Sequence, residues 1–385
     1  MKKLLVLLTV VTLAANSFAA AFKMVAIPDT QRLARFNPAE MEGQTQWIVD
    51  NAVAEDIAFV TYLGDVVDDG SNITQWNNAT DAIDLLDGVV PYSVCMGNHD
   101  LHDTTNRLAG ATEYIDRFGS SRYSGYSWYG GSHRDLDHYQ IFNADGRDWL
   151  HINFEYMPDS ESLLWAQRVI DANPTLPVIV STHAFLTADG ELSGNPASSQ
   201  MGVISNGGES QWYQFVKQND QIFLVMNGHY FDNGGTDLGV ANTNIVNSYG
   251  HDVFMMCINF QGINDDDAHF RILEFDSANN EINATTYDPN TANYYTDSDN
   301  QFTLSMDFTA RLGSFTARQT FSTIQAANIT VVESDLLNSN NSVTVSIPAG
   351  QSTADISVVP VGTTEYTDHS NGDYYIRAGS VIEDD

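Results

Sequence analysis

Five short clusters in this chain each join a side chain able to hold a cation to a tight turn or strand end. They are Pro28-Asp29-Thr-Gln31, Gly64-Asp65-Val-Val-Asp68-Asp69, Gly97-Asn98-His99-Asp100, Ser181-Thr-His183 and Gly228-His229-Tyr230. Holding two divalent ions without thiolates takes several oxygen and nitrogen donors converging on one point, and carboxylate with imidazole suits zinc, manganese or iron. A carboxylate has two oxygens and bridges two ions; Asp65, central in the set, is the candidate bridge. Singly, each cluster has an ordinary explanation. An Asp after a strand is most often a turn former, Gly-Asn is a common turn, and a lone His is more often a core residue than a ligand. Their order and shared setting make them a set.

That setting comes from the elements that must carry them. Apolar runs at 22–27, 57–63, 89–96, 177–181 and 222–226 read as strands, and 47–54, 76–86, 161–172 and 209–217 read as helices. Strand, polar loop and helix in repetition predict an α/β layered domain. Each cluster follows the C-terminal end of a predicted strand, the edge at which open α/β sheets bind ligands. From about 309 onward the texture changes to Ser, Thr, Asn and Val, and alternation at 342–347 and 354–359 around the turn 348–350 predicts an all-β appendage. The stretch 347–360 loosely resembles one hairpin of the calcium-binding β-sandwich repeats of sodium–calcium exchangers.

Lys2 and Lys3 precede an apolar run at 4–13 and a small-residue stretch ending at Ala19-Ala20-Ala21, the layout of a secretory signal with cleavage after Ala19 or Ala21. The alternative, a membrane anchor, is disfavoured by the short apolar run. Export into the extracellular space or periplasm is therefore expected, with residues 1–21 removed, 22–308 as the catalytic unit and 309–385 as a β-rich region. The chain carries 16 basic and 50 acidic residues, a net of −34. Such a field repels polyanions, which argues against nucleic acid as a partner, while bound cations could still dominate locally at a site. Cys95 and Cys257 sit in apolar strand-like runs and read as one disulfide or two buried thiols.

Together the clusters resemble the calcineurin-like metallophosphoesterases, in particular an exported branch whose first element reads Pro-Asp-Thr-Gln. The resemblance spans about 22–308, and Gly-Asn-His-Asp is its most specific piece. It implies a four-layer sandwich of two mixed β-sheets flanked by helices. It also implies hydrolysis of a small-molecule phosphate mono- or diester, with two zinc, manganese or iron ions activating a hydroxide for in-line attack. Carried over by position, Asp29 and Gln31 would hold the first ion, Asp65 would bridge, and Asn98, His183 and His229 would hold the second. His99 would protonate the leaving group, with Asp100 orienting its ring.

The sequence also departs from that pattern. Many relatives have Gly-His-x-His where this chain has Gly228-His229-Tyr230-Phe231, and His where it has Gln31. A phenyl ring cannot ligate, so the first site is expected to be weaker, with Tyr230, Asp232 or His251 available to compensate. The alternative is a family member that has lost turnover and acts as a binding or surface-interaction protein. Asp68 and Asp69 either reach a metal or cap the next segment. Arg134 either grips a phosphate or forms a structural ion pair. The aromatic group Tyr123, Tyr126, Trp128 and Tyr129 either lines a cleft or packs. His102, His133, His138, His151 and His269 have no ligand spacing and read as surface or loop residues.

Overall fold

Along the chain, β1 (Phe22–Ile27), β2 (Ile57–Tyr62) and β3 (Tyr92–Val94) begin one sheet. A second sheet follows, from β4 (Tyr129–His133), β5 (Asp137–Ala144), β6 (Arg147–Asn153), β7 (Val178–Ser181), β8 (Ile222–Asn227), β9 (Ala241–Val246) and β10 (Asp252–Cys257). The chain then returns to the first sheet with β11 (Phe270–Asp276), β12 (Glu281–Asp288), β13 (Asn293–Tyr295) and β14 (Gln301–Ser305). The hairpin of β15 (Ala327–Val332) and β16 (Ser342–Ile347) stands apart from both sheets. These come from a computed structural model that describes residues 21–194, 205–231, 239–261, 268–315, 327–332 and 342–347. Residues 1–20 of the expected signal segment 1–21 and the predicted strand at 354–359 lie outside the described residues.

The first sheet runs β13-β12-β11-β1-β2-β3 with β14 beside β12, and the second runs β4-β5-β6-β7-β8-β10-β9. Both are mixed: β1, β2 and β3 are parallel, as are β6, β7, β8 and β10, with antiparallel strands at the flanks. The period-2 geometry of a strand explains the layering. In β1, Phe22, Met24 and Ala26 face the apolar core between the sheets, while Val25 and Ile27 face the core under the helices. In β10, Phe254 and Met256 point inward, and Val253, Met255 and Cys257 point to the opposite helix layer. Helices Pro38–Asn51 and Ile73–Asp84 cover one sheet and Ser160–Ala172 and Gly208–Gln214 the other, giving the four layers. Asn72 and Asp159 start two of these helices by accepting from the backbone N–H groups two and three residues on. Among the described residues no helix is long and apolar enough to cross a membrane.

The first long helix begins nine residues before the predicted one, at Pro38 rather than 47. Its early buried face carries Gln44 and Thr45, which find partners instead of apolar neighbours: Gln44 donates to the Ala268 carbonyl at 3.0 Å and Thr45 meets the Tyr62 hydroxyl at 2.9 Å. Helix Phe308–Leu312 crosses the expected boundary at 308. Phe308 and Leu312 lie in the inter-sheet core, and Arg311 donates to the carbonyls of Asp220 and Ile222.

Of the histidines read as surface or loop residues, His138, His151 and His269 are buried, the first two within strands and His269 in the loop before β11. His151 sits on the inner face of β6, within hydrogen-bond distance of Gln140 Oε1 (3.0 Å) and Ser181 Oγ (2.9 Å). From Ser181 the chain of contacts runs to Thr61 and Ser93, 3.1 Å apart at each step, so a polar seam ties the two sheets together beside the apolar core. Each member satisfies a neighbour that would otherwise lose its hydrogen bond to water, a loss of about 1–3 kcal/mol per group. Both cysteines are buried free thiols; Cys95 donates to the Phe154 carbonyl.

Burial pushes His151 down to about 3 and His138 down to about 4, from an ordinary 6.5. Both rings are neutral when folded but take up protons near 6.5 once unfolded. Their contribution to stability is thus complete above 6.5 and lost as pH falls toward 4 and then 3. At about 1.4 kcal/mol per unit this amounts to several kcal/mol. Thermal midpoints should begin to fall just below about pH 6.5, before most carboxylates titrate, and His151→Gln should flatten that limb. A limb of equal slope in the variant would rule the account out.

Candidate metal centre

Six strand ends meet at one edge of the sandwich. β1 delivers Asp29, β2 delivers Asp65, β3 delivers Asn98 and His99, β7 delivers His183, β8 delivers His229, and β10 delivers Asn259 and Gln261. Parallel strands end together, so residues far apart in sequence arrive side by side.

At the centre of this edge lies the His183 imidazole, fully buried. Its Nδ1 donates to the Leu63 carbonyl at 2.8 Å, which fixes the tautomer and turns Nε2 into the site. Around Nε2, each at 3.2 Å, are Asp65 Oδ2, Asn98 Oδ1 and His229 Nδ1. Ligand atoms of Asp65, His183 and His229 all lie within 4.8 Å of one another. Three acceptors facing one ring nitrogen are more than a single N–H can serve, whereas a cation satisfies them all. Burial disfavours charge on His183, but Asp65 and Asp29 outweigh it and lift the ring to about 9; burial and the neighbouring His183 push His229 down to about 3. Although burial opposes it, Asp65 is held below the ordinary carboxylate range by His183.

The glycines of the clusters are there to leave room. A Cβ on Gly97 would stand 2.1 Å from the Asp65 nitrogen and 2.2 Å from Asp65 Oδ1. On Gly228 it would stand 2.1 Å from Asp29 Oδ1, and on Gly64 2.5 Å from His183 Nδ1. Asp65 and His229 themselves take positive φ, 47° and 66°, a conformation uncommon for side-chain-bearing residues that aims their ligating atoms inward. The donor chemistry, the tautomer and the space all fit a bound divalent ion.

Asp29 is buried and caged by donors: Asn259 Nδ2 at 2.8 Å and Gln261 Nε2 at 3.1 Å reach its Oδ2, and the His229 N–H reaches both oxygens at 3.1 and 3.2 Å. Burial, with Asp65 nearby, pushes this carboxyl upward. Gln31 donates to Gln261 Oε1 at 2.8 Å, and among the described residues its own buried Oε1 has no partner. Asn259 and Gln261 escaped the sequence reading because neutral amides after a strand look like turn formers; the signal was their place at a sixth strand end.

One sequence expectation is corrected here, and several open alternatives are decided. Asp100 does not orient His99. It accepts from the N–H groups of Gly97 (2.7 Å) and Val67 (3.0 Å), holding the two turns together, whereas His99 Nδ1 lies 2.9 Å from the Asp68 carbonyl. Asp68 and Asp69 serve locally: Asp68 pairs with Arg35, and Asp69 accepts from Ser71. His251 is at the opposite end of β10, 2.7 Å from Asp220, and cannot reach the centre. Asp232 lies outside the described residues. Tyr230 packs edge-on against His229, and Phe231 is at the exposed rim. Arg134 is a structural partner of Asp159 at 2.7 Å and Ser162 at 3.0 Å. The rings of Tyr123, Trp128 and Tyr129 pack on one another, as do those of Tyr126 and Trp128.

The calcineurin-like phosphoesterase family model matches residues 23–230. The chain is 29% identical over 306 residues to the uncharacterized protein YvnB of Bacillus subtilis (strain 168), covering 76% of this chain and 22% of that protein. It thus spans about a fifth of the curated relative's length. Among solved structures it is similar to purple acid phosphatase PPD1 from yellow lupin (Lupinus luteus) seeds, with a TM-score of 0.48, 15% identity and coverage of 80% of this chain and 58% of that one. It is also similar to GAP50, the anchor in the inner membrane complex of Plasmodium, with a TM-score of 0.40, 12% identity and coverage of 78% and 90%.

If the glycines hold the centre open, Gly97→Ala should weaken metal binding by at least about 10–100-fold while leaving far-ultraviolet circular dichroism unchanged. Gly125→Ala, at a position where a Cβ meets nothing within 4 Å, is the control. Titration calorimetry with zinc on both variants decides it; equal affinities would show the space to be incidental.

Proposed function

Since this chain belongs to the calcineurin-like phosphoesterase family, we propose that it is a metal-dependent hydrolase of small-molecule phosphate mono- or diesters, working with two metal ions. The observation that carries this reading is the convergence of Asp65, Asn98 and His229 on the inward nitrogen of His183. Asp65, Asn98, His183 and His229 would hold one ion, and Asp29 and Gln31, sharing Asp65, the other. When bound, such ions acidify a water and neutralise charge on phosphoryl oxygens.

The remaining work falls to the chain's own groups. Tyr156 lays its ring 5.6 Å from that of His183 and 5.2 Å from that of His229, sealing the imidazoles from bulk water on that side. His99 is half-buried at the mouth. Its Nδ1 is committed to the Asp68 carbonyl, so Nε2 is the nitrogen that would hand a proton to the departing alkoxide. The His99 backbone N–H meanwhile donates to Asp65 Oδ1 at 2.8 Å, coupling the proton donor's position to the bridging carboxylate. Direct attack by water leaves no phosphoenzyme to expect.

Export through the segment 1–21 and a catalytic unit followed by a β-rich region remain part of this reading, supported by the sequence features above. Phe231 and Gln31 favour a second reading, a binding protein on an enzyme scaffold. Hydrolysis separates the two. Asp65→Ala should abolish turnover and lower bound metal. His99→Ala should cut kcat by about 100-fold or more on an alkyl phosphate but far less on a nitrophenyl ester, whose leaving group needs no proton. Turnover unchanged in both variants, or no turnover in the wild type with any metal, would sink the catalytic reading.

A further inference from the structure

We propose that Tyr156 is a wall of the centre that touches the substrate, its hydroxyl donating to a phosphoryl oxygen, and that Arg107 is the positioning residue that holds it there. The proposal rests on the phosphoesterase reading above and goes beyond it by assigning a seventh strand end and the buried ion pair behind it.

β6 runs parallel to β7, so its exit opens on the same edge as His183. The two exits stay bonded to each other. The Phe154 N–H donates to the Ser181 carbonyl at 2.8 Å, and the Thr182 hydroxyl donates to the Glu155 carbonyl at 3.4 Å. Tyr156 and His183 are the next residues on either side, which brings the Tyr156 ring against both imidazoles. Tyr156 is buried, and among the described residues its hydroxyl has no hydrogen-bond partner. Burial, then the nearby Tyr230 and Asp65, raise that hydroxyl above the ordinary phenol range, so it keeps its proton. A protonated hydroxyl in a buried residue, with no acceptor of its own, lacks what a phosphoryl oxygen provides.

Arg107 accounts for the shape of the loop. It stands in the short helix Arg107–Gly110, on the segment that follows Asn98-His99-Asp100, and is itself buried. Its guanidinium donates to the carbonyls of Tyr156 (3.4 Å) and Met157 (3.2 Å) and to Ser205 Oγ (2.7 Å), and pairs with Glu155 at 2.6 Å. One planar fork of donors thus grips three consecutive residues. Met157 takes a φ of 45°, a conformation that persists only where the surroundings enforce it. Glu155 is fixed from behind: it accepts from Ser162 Oγ at 3.1 Å, and its N–H donates to the buried Asp137 at 3.0 Å. The segment carrying His99 and the segment carrying Tyr156 are therefore spaced by one buried side chain.

Calorimetry with inorganic phosphate on zinc-loaded protein, beside steady-state hydrolysis of an alkyl phosphate, tests this. Tyr156→Phe should weaken phosphate binding and lower kcat/KM by about tenfold or more, with zinc content by mass spectrometry unchanged. Arg107→Met should reproduce that loss and Arg107→Lys recover part of it, while Arg107→Met joined to Tyr156→Phe should lose no more than either alone. If circular dichroism shows Arg107→Met unfolded, Arg107→Lys joined to Tyr156→Phe carries the same comparison. Wild-type phosphate affinity and kcat/KM in Tyr156→Phe, zinc lost together with phosphate in that variant, or losses that multiply in the double variant would each overturn the proposal. A wild type that binds zinc and phosphate but hydrolyses no ester would sink the hydrolase reading instead, and phosphate affinity in Tyr156→Phe would still decide the contact.

Discussion

Asp29, Asp65 and Asp100 are buried together at one sheet edge, and the surroundings of that edge are arranged to make three carboxylates tolerable. An unpaired carboxylate out of water is costly enough that it normally protonates instead. Here each finds a different answer. Asp100 accepts two backbone N–H groups and serves as a clasp between the Gly97 and Val67 turns. Asp65 pairs with His183 and accepts the His99 N–H. Asp29 is surrounded by the His229 N–H and two side-chain amides. The first solution is structural and complete. The other two leave acceptors crowded on one nitrogen or, among the described residues, an amide oxygen without a partner, a demand that a cation would meet.

The fold supplies this arrangement cheaply because parallel strands end in register. β1, β2 and β3 on one sheet and β7, β8 and β10 on the other all point their C-terminal ends to the same edge, so six loops converge without any long connection. Convergence brings crowding, and the chain answers with glycine. Gly64, Gly97 and Gly228 each stand where a methyl group would overlap a ligand or its backbone. Polar seam and metal edge are continuous: Ser181, two residues before His183, is bonded to His151 and Thr61, and Asn153 donates to the Val94 carbonyl four residues before Asn98. The strands that carry the candidate ligands are thus pinned across the sandwich just behind them, where a shift would matter most.

Much of this was legible in the sequence because metal-capable side chains beside tight turns at strand ends form a pattern that chance seldom repeats five times. Asp29, Gln31, Asp65, Asn98, His183 and His229 do come together at one edge. What was illegible has physical reasons. Asn259 and Gln261 carry no charge and no repeated spacing. Their contacts with Asp29 join residues far apart in sequence, a relation that a linear reading does not contain. His138 and His151 were misread because a polar residue in a strand looks exposed unless its cross-strand partner is known; Gln140 and Ser181 are such partners for His151. The start of helix Pro38–Asn51 was hidden for the same reason, since Gln44 and Thr45 face inward to partners distant in sequence.

The exit of β8 shows why losing a ligand there need not empty the centre. His229 takes positive φ, sends its ring to His183 and its N–H to Asp29, and is backed by the Tyr230 ring at 4.6 Å. One residue thus serves both sides of the centre, and the chain leaves the edge immediately after it, with Phe231 passing to the rim. The exit of β10 adds a second hold on Asp29, through Asn259.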